Sequence, residues 1–129
     1  MAKFIAQGIQ RRLLALQLGS YPNVPEASGW MSDMLYRLEK LIADRRANMP
    51  ASSYTTTLFQ QGRNKIAQKV GEEATEVIVA ALGQGREDQV NELADLFYHT
   101  LVLMADLEIS LEDVSTELEK RHQPAQENP

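Results

Sequence analysis

Five acidic residues fall in two short runs. Glu72, Glu73 and Glu76 form the first, and Glu92 and Asp95 follow after fifteen intervening residues. Spacings of three and four put acids on one helix face, where like charges repel by about 0.2–0.5 kcal/mol even when exposed. Partial burial raises that cost, because a low dielectric strengthens charge–charge interactions. A divalent cation turns the repulsion into attraction. Hard oxygen donors with no cage of His or Cys suit Mg2+, with Mn2+ as the alternative. Magnesium keeps waters and engages phosphates, so this donor set belongs to phosphate chemistry. The competing reading is a solvated Glu-rich face. It is weakened by finding two such runs on adjacent helices, each beside apolar residues and joined by the tight turn Gly83-Gln-Gly85.

Cations gather just upstream at Arg63, Lys65 and Lys69, with Asn64 between them. Lys69 precedes Glu73 by one turn, which is ordinary i,i+4 helix pairing. The same residues lie near the start of a helix whose dipole favours anions, so they are also candidates to hold substrate phosphates. His99 continues the line of Glu92 and Asp95 at i+7. A histidine on a buried helix is more often a hydrogen-bonded core or interface residue than a ligand, so His99 is a candidate support behind the acids.

Helices must carry these groups. Apolar spacing and a stop at Asn48-Met49-Pro50 mark a helix over Met34–Asn48, with Ser32 or Asp33 as its cap. Ser52 or Ser53 caps a short helix through Phe59, closed by Gly62. Two long helices follow, Arg63–Leu82 and Glu87–Asp106. Ser110 and Asp113 form a variant capping box for a last helix ending near His122. No segment alternates with period two for long enough to be a strand, so the expected fold is an all-α bundle of four to five helices. On the first long helix, Ile66, Val70, Ala74, Val77 and Ala81 define the apolar stripe, with Glu73 at its edge. The second is apolar nearly all round, which predicts burial on nearly all sides. Its main polar strip is Glu92, Asp95 and His99.

With 129 residues the chain supports one core. Its net charge of −5 makes it a poor candidate to grip nucleic acid. Without cysteines, thiolate nucleophiles and Cys-ligated metals are excluded, and a cytoplasmic setting fits. No apolar run is long enough to span a bilayer, so no membrane is expected. Residues 1–30 read differently from the rest. Phe4, Ile5, Ile9, Leu13, Leu14, Leu16 and Leu18 suit one amphipathic helix, and Gly19–Gly29 has linker chemistry. The expected functional domain is therefore 31–122, preceded by a peripheral extension or a start codon assigned too early. A disordered polar tail, 123–129, follows it.

The run Glu72-Glu73-Ala-Thr-Glu76 and the later Glu92-Leu-Ala-Asp95 resemble the EExxE…ExxD signature of MazG-like all-α nucleotide pyrophosphohydrolases. The wider text is more specific. Ser53-Tyr-Thr, Gly62-Arg-Asn-Lys-Ile-Ala-Gln-Lys-Val-Gly-Glu-Glu-Ala, Ala94-Asp-Leu-Phe-Tyr-His99 and Ser110-Leu-Glu-Asp-Val resemble the phosphoribosyl-ATP pyrophosphohydrolase family. The likeness covers roughly Ser32–His122. It implies attack of water on the α–β phosphoanhydride of phosphoribosyl-ATP, the second step of histidine biosynthesis. It also implies a nucleotide substrate, Mg2+, and a homodimer in which bundles share a helical core. By motif position Glu73, Glu76, Glu92 and Asp95 are the implied metal ligands, and Glu72 a further ligand or the group that orients the attacking water. Some family members are fused behind a cyclohydrolase with a cysteine zinc site. This chain has neither the length nor the cysteines for it and is expected to be the pyrophosphohydrolase alone. The rivals are a MazG-like enzyme clearing other nucleoside triphosphates and a dimeric helical adaptor with merely superficial acids. A di-iron bundle, with its paired Glu-x-x-His motifs, fits less well.

Overall fold

The computed structural model describes residues 30–122. The expectations for Phe4–Leu18, for the linker before Trp30 and for the tail after His122 lie outside the described residues. The chain divides into two compact units, Met1–Met34 and Leu35–Pro129, and the acids and cations singled out above all belong to the second.

Five helices make up the described residues: α1 (Trp30–Asn48), α2 (Tyr54–Gln61), α3 (Arg63–Gly83), α4 (Arg86–Asp106) and α5 (Leu111–Arg121). No strand occurs among them, as the missing period-two pattern led one to expect. Local chemistry sets most boundaries. The Ser53 hydroxyl accepts from Thr56 N–H at the start of α2. The Ser110–Asp113 capping box opens α5. Ser32 and Asp33 do not cap α1, because the helix already begins at Trp30. Asp33 sits inside its first turn, where a negative charge still complements the helix dipole.

Gly62 joins α2 to α3 with no spare residue. Its N–H closes α2 on the Leu58 carbonyl and its own carbonyl accepts from Ile66 N–H. To do both it takes φ +89°, ψ 176°, a conformation essentially confined to glycine.

Helices α3 and α4 each run 21 residues and pack along one another, joined by Gln84 and Gly85 alone. So short a connection sets their register. Gln89 Nε2 donates to the Ala80 carbonyl (3.2 Å), which also accepts from Gln84 N–H, and to the Gln84 carbonyl (3.0 Å), fastening the start of α4 to the end of α3. At the far end Arg63 Nε meets Asp106 Oδ2 at 2.6 Å. Ala80 with Gln89 and Arg63 with Asp106 lie symmetrically about the turn. The same symmetry sets Glu73, the middle residue of α3, against the middle of α4.

The core contains Leu38 and Ile42 from α1, Leu58 from α2, Ile66 and Ala80 from α3, and Tyr98, Leu101 and Val102 from α4. Each large apolar side chain removed from water contributes about 1.5–3 kcal/mol. Two expectations need correction. The buried line of α3 is Ile66, Glu73 and Ala80, while Val70, Ala74 and Val77 are only half-buried and Ala81 is exposed. Glu73 therefore occupies the centre of the buried line and not its edge. Nor is α4 buried on nearly all sides, since Val90, Leu93 and Phe97 stay exposed, as do Ile78, Val79 and Leu82 of α3. Among the described residues α4 packs most extensively along α3, and Val90, Leu93 and Phe97 remain open.

Candidate active site

Glu73 is 1% exposed at the middle of the α3–α4 hairpin. A carboxylate in such a place carries a large desolvation cost unless it is paired or ligated. Lys69, one turn earlier, supplies part of the compensation, with its ammonium 3.1 Å from Glu73 Oε1 and 3.2 Å from Glu72 Oε2. Burial works against the Lys69 ammonium. Its hydrogen bonds to Glu73 and Glu72 outweigh this and hold its pKa above the usual lysine value.

Across the hairpin, one carboxylate oxygen from each of Glu73, Glu92 and Asp95 lies within 4.8 Å of the others. Glu73 Oε2 and Glu92 Oε2 are buried and accept no hydrogen bond. Hard donors of this kind, converging from two helices with acceptor capacity left over, suit a divalent cation, and the cluster can hold a metal ion.

The other expected residues are placed around this core. Glu76 is half-buried one turn beyond Glu73 and lies outside the three-acid cluster. Glu72 also lies outside it. Its carboxylate accepts from Gln68 Nε2 at 2.8 Å and from Lys69, and these two contacts lower its pKa. Lys65 is half-buried and Asn64 exposed. Arg63 stands ten residues before Glu73, about 15 Å along the helix axis. Its guanidinium reaches the side chain and the backbone carbonyl of Asp106, tying the start of α3 to the end of α4.

His99, 3% exposed, sits one turn beyond Asp95. Its Nδ1 is 2.7 Å from the Asp95 backbone carbonyl, which can only accept, so Nδ1 carries the proton. Burial pushes the imidazole pKa down, which keeps the ring neutral at pH 7 and makes Nε2 an acceptor. The Tyr54 hydroxyl, 3.0 Å away, therefore donates to Nε2. Burial raises the Tyr54 pKa, and the charges of Lys69, Glu73 and Asp95 also act on it, so this hydroxyl lies in the field of the acidic cluster. Sequence reasoning met Tyr54 only within the family-like run Ser53-Tyr-Thr and gave it no role. Its place before Thr55 at the start of a short helix carries no chemical signal of its own.

The match to known proteins falls on these same helices. The family described as phosphoribosyl-ATP pyrophosphohydrolase matches residues 35–122. The chain belongs to this family. A phosphoribosyl-ATP pyrophosphatase from Metallosphaera sedula is 52% identical over 91 residues, which cover 70% of this chain and 98% of that protein. Another, from Geobacter sulfurreducens, is 51% identical over 89 residues, 69% of this chain and 82% of that protein. The histidine biosynthesis bifunctional protein HisIE of Bacillus subtilis is 48% identical over 94 residues, 73% of this chain but 45% of that protein. The chain thus spans less than half the length of such bifunctional relatives and most of the length of the single-function ones. No helix among the described residues is long and apolar enough to cross a membrane.

Proposed function

We propose that the chain hydrolyses the α–β phosphoanhydride of phosphoribosyl-ATP, releasing pyrophosphate and phosphoribosyl-AMP in the second step of histidine biosynthesis. The observation that carries the chemistry is Glu73, buried in the core line of α3 beside Glu92 and Asp95 with carboxylate oxygens left over. The family match and the names of the relatives support the choice of substrate.

Glu73, Glu92 and Asp95 would hold Mg2+, or Mn2+ in its place, with Glu76, one turn beyond Glu73 on α3, as the further candidate ligand. Bound there, the cation supplies charge stabilisation to the phosphates and lowers the pKa of water. The chain's own groups supply orientation. Lys69, fastened between Glu72 and Glu73, offers its remaining donor capacity to a phosphate oxygen, and Lys65 extends the positive edge by one turn. Glu72, ionised at neutral pH, orients the attacking water by accepting its hydrogen bond. His99 steadies the turn that carries Asp95. Arg63 and Asn64 would reach the outer phosphates only if Arg63 exchanges Asp106 for substrate.

A second copy of the chain is the proposed cover for Val90, Leu93 and Phe97 of α4 and for Ile78 and Leu82 of α3. Apolar residues so placed on a single chain favour association, and a homodimer built on α3 and α4 would bury them.

Pyrophosphate release from phosphoribosyl-ATP, measured against a panel of nucleoside and deoxynucleoside triphosphates, tests the assignment. A strong preference for phosphoribosyl-ATP is expected. Similar rates across the panel would favour a broader triphosphate-clearing enzyme. Asp95→Ala is expected to abolish turnover with helical circular dichroism intact, and retained turnover would remove the acidic cluster from the chemistry.

A further inference from the structure

Two neighbours at the start of α2 grip two neighbours on α4. Thr55 Oγ1 hydrogen-bonds the Tyr98 hydroxyl, and the Tyr54 hydroxyl donates to His99 Nε2. Both contacts fasten the same pair of helices, yet only one of them leads on to the acids. Behind His99 stands the backbone carbonyl of Asp95. The imidazole is edge-on to both tyrosines, at interplanar angles of 87° to Tyr54 and 86° to Tyr98, so packing as well as hydrogen bonding holds its plane. The result is a continuous path from a side chain on α2, through one buried ring, to the turn of α4 that presents the Asp95 carboxylate.

We propose that Tyr54 is a positioning residue of the site, setting through His99 the placement of Asp95 and hence the affinity of the acidic cluster for a divalent cation. This rests on the reading above that the cluster binds such a cation. Groups that orient metal ligands from behind commonly contribute 10- to 100-fold in metal affinity, by limiting the ligand geometries available before binding.

Manganese alone serves as the probe, with free Mn2+ followed by electron paramagnetic resonance on the full chain without substrate. Tyr54→Phe keeps the ring packing and removes the donor. It is expected to weaken Mn2+ binding about tenfold, with excess Mn2+ restoring turnover. Thr55→Val breaks the neighbouring contact between the same helices, and is expected to lower Tm while leaving Mn2+ affinity at the wild-type value. His99→Gln is expected to weaken binding too, and the double variant Tyr54→Phe/His99→Gln no further than His99→Gln alone, because both changes act on one path.

Wild-type affinity in Tyr54→Phe, an equal loss in Thr55→Val, or additive losses in the double variant would each overturn the proposal. If the wild type binds Mn2+ and Tyr54→Phe binds it equally well, the cation reading stands and this proposal alone falls. If the wild type binds none, both fall.

Discussion

Glu73→Gln exchanges the most deeply buried acid of the site for an amide of the same shape. In the wild type the nearest oxygens of Glu73, Glu92 and Asp95 lie within 4.8 Å of one another. At an effective dielectric of about 20, two ionised carboxylates at that distance repel by about 3.5 kcal/mol, and Glu73 faces two of them. The Lys69 ammonium, 3.1 Å from Glu73 Oε1, returns about 5 kcal/mol on the same scale. The balance is about 2 kcal/mol against the carboxylate, before the further cost of keeping its charge from water. Without divalent cations the variant is therefore expected to be the more stable protein, with a Tm roughly 10 °C above wild type. A cation bound by the wild type and not by the variant reverses the order. At a hundredfold its Kd such a cation stabilises by about 2.7 kcal/mol. Thermal melts followed by circular dichroism, at one protein concentration, in chelator and in excess Mg2+, measure both effects. The reasoning is refuted if Glu73→Gln melts below wild type in chelator, or if Mg2+ raises both melting temperatures equally.

Two other outcomes follow from the packing. Asp113 accepts from the N–H and hydroxyl of Ser110, and these bonds hold its carboxyl below the usual carboxylate range. A depressed folded-state pKa contributes stability above the unfolded value of about 3.9, lost as pH falls through the folded value. Asp113→Asn should accordingly flatten the fall in Tm below about pH 4, and an unchanged acid limb would count against the capping box. Phe97→Glu places a charge in the exposed apolar stripe formed by Val90, Leu93 and Phe97 of α4. Analytical ultracentrifugation is expected to show a dimer for the wild type and a helical monomer for the variant, and a monomeric wild type would remove the proposed interface.

Helix boundaries were legible along the chain because caps and turns act over three or four residues. Ser53, Gly62, the Gly83–Gly85 turn and Ser110 each act locally. The acids were legible by type and spacing as well, since charges three or four apart must share a helix face wherever the helix packs. Which face is buried is a different matter. Averaged hydrophobicity favours Val70, Ala74 and Val77, yet packing against α4 selects Ile66, Glu73 and Ala80, seven residues apart, because side chains on that line are the ones that meet the neighbouring helix. The same limit applies to Arg63. Its charge near a helix start suits an anion, but the short α3–α4 turn brings Asp106 to it first.

By itself, then, the order of residues determined the five helical segments of the described region, most of their ends though not the start of α1, and a set of acids suited to a hard cation, because those properties depend on near neighbours. Tertiary structure alone decided that Glu73 lies at the centre of the buried line, that Tyr54 reaches His99 from 45 positions away, and that Val90, Leu93 and Phe97 of α4 stay exposed among the described residues. Each of these depends on which surfaces meet once the hairpin closes, and contacts between residues far apart in sequence leave no periodic trace along it.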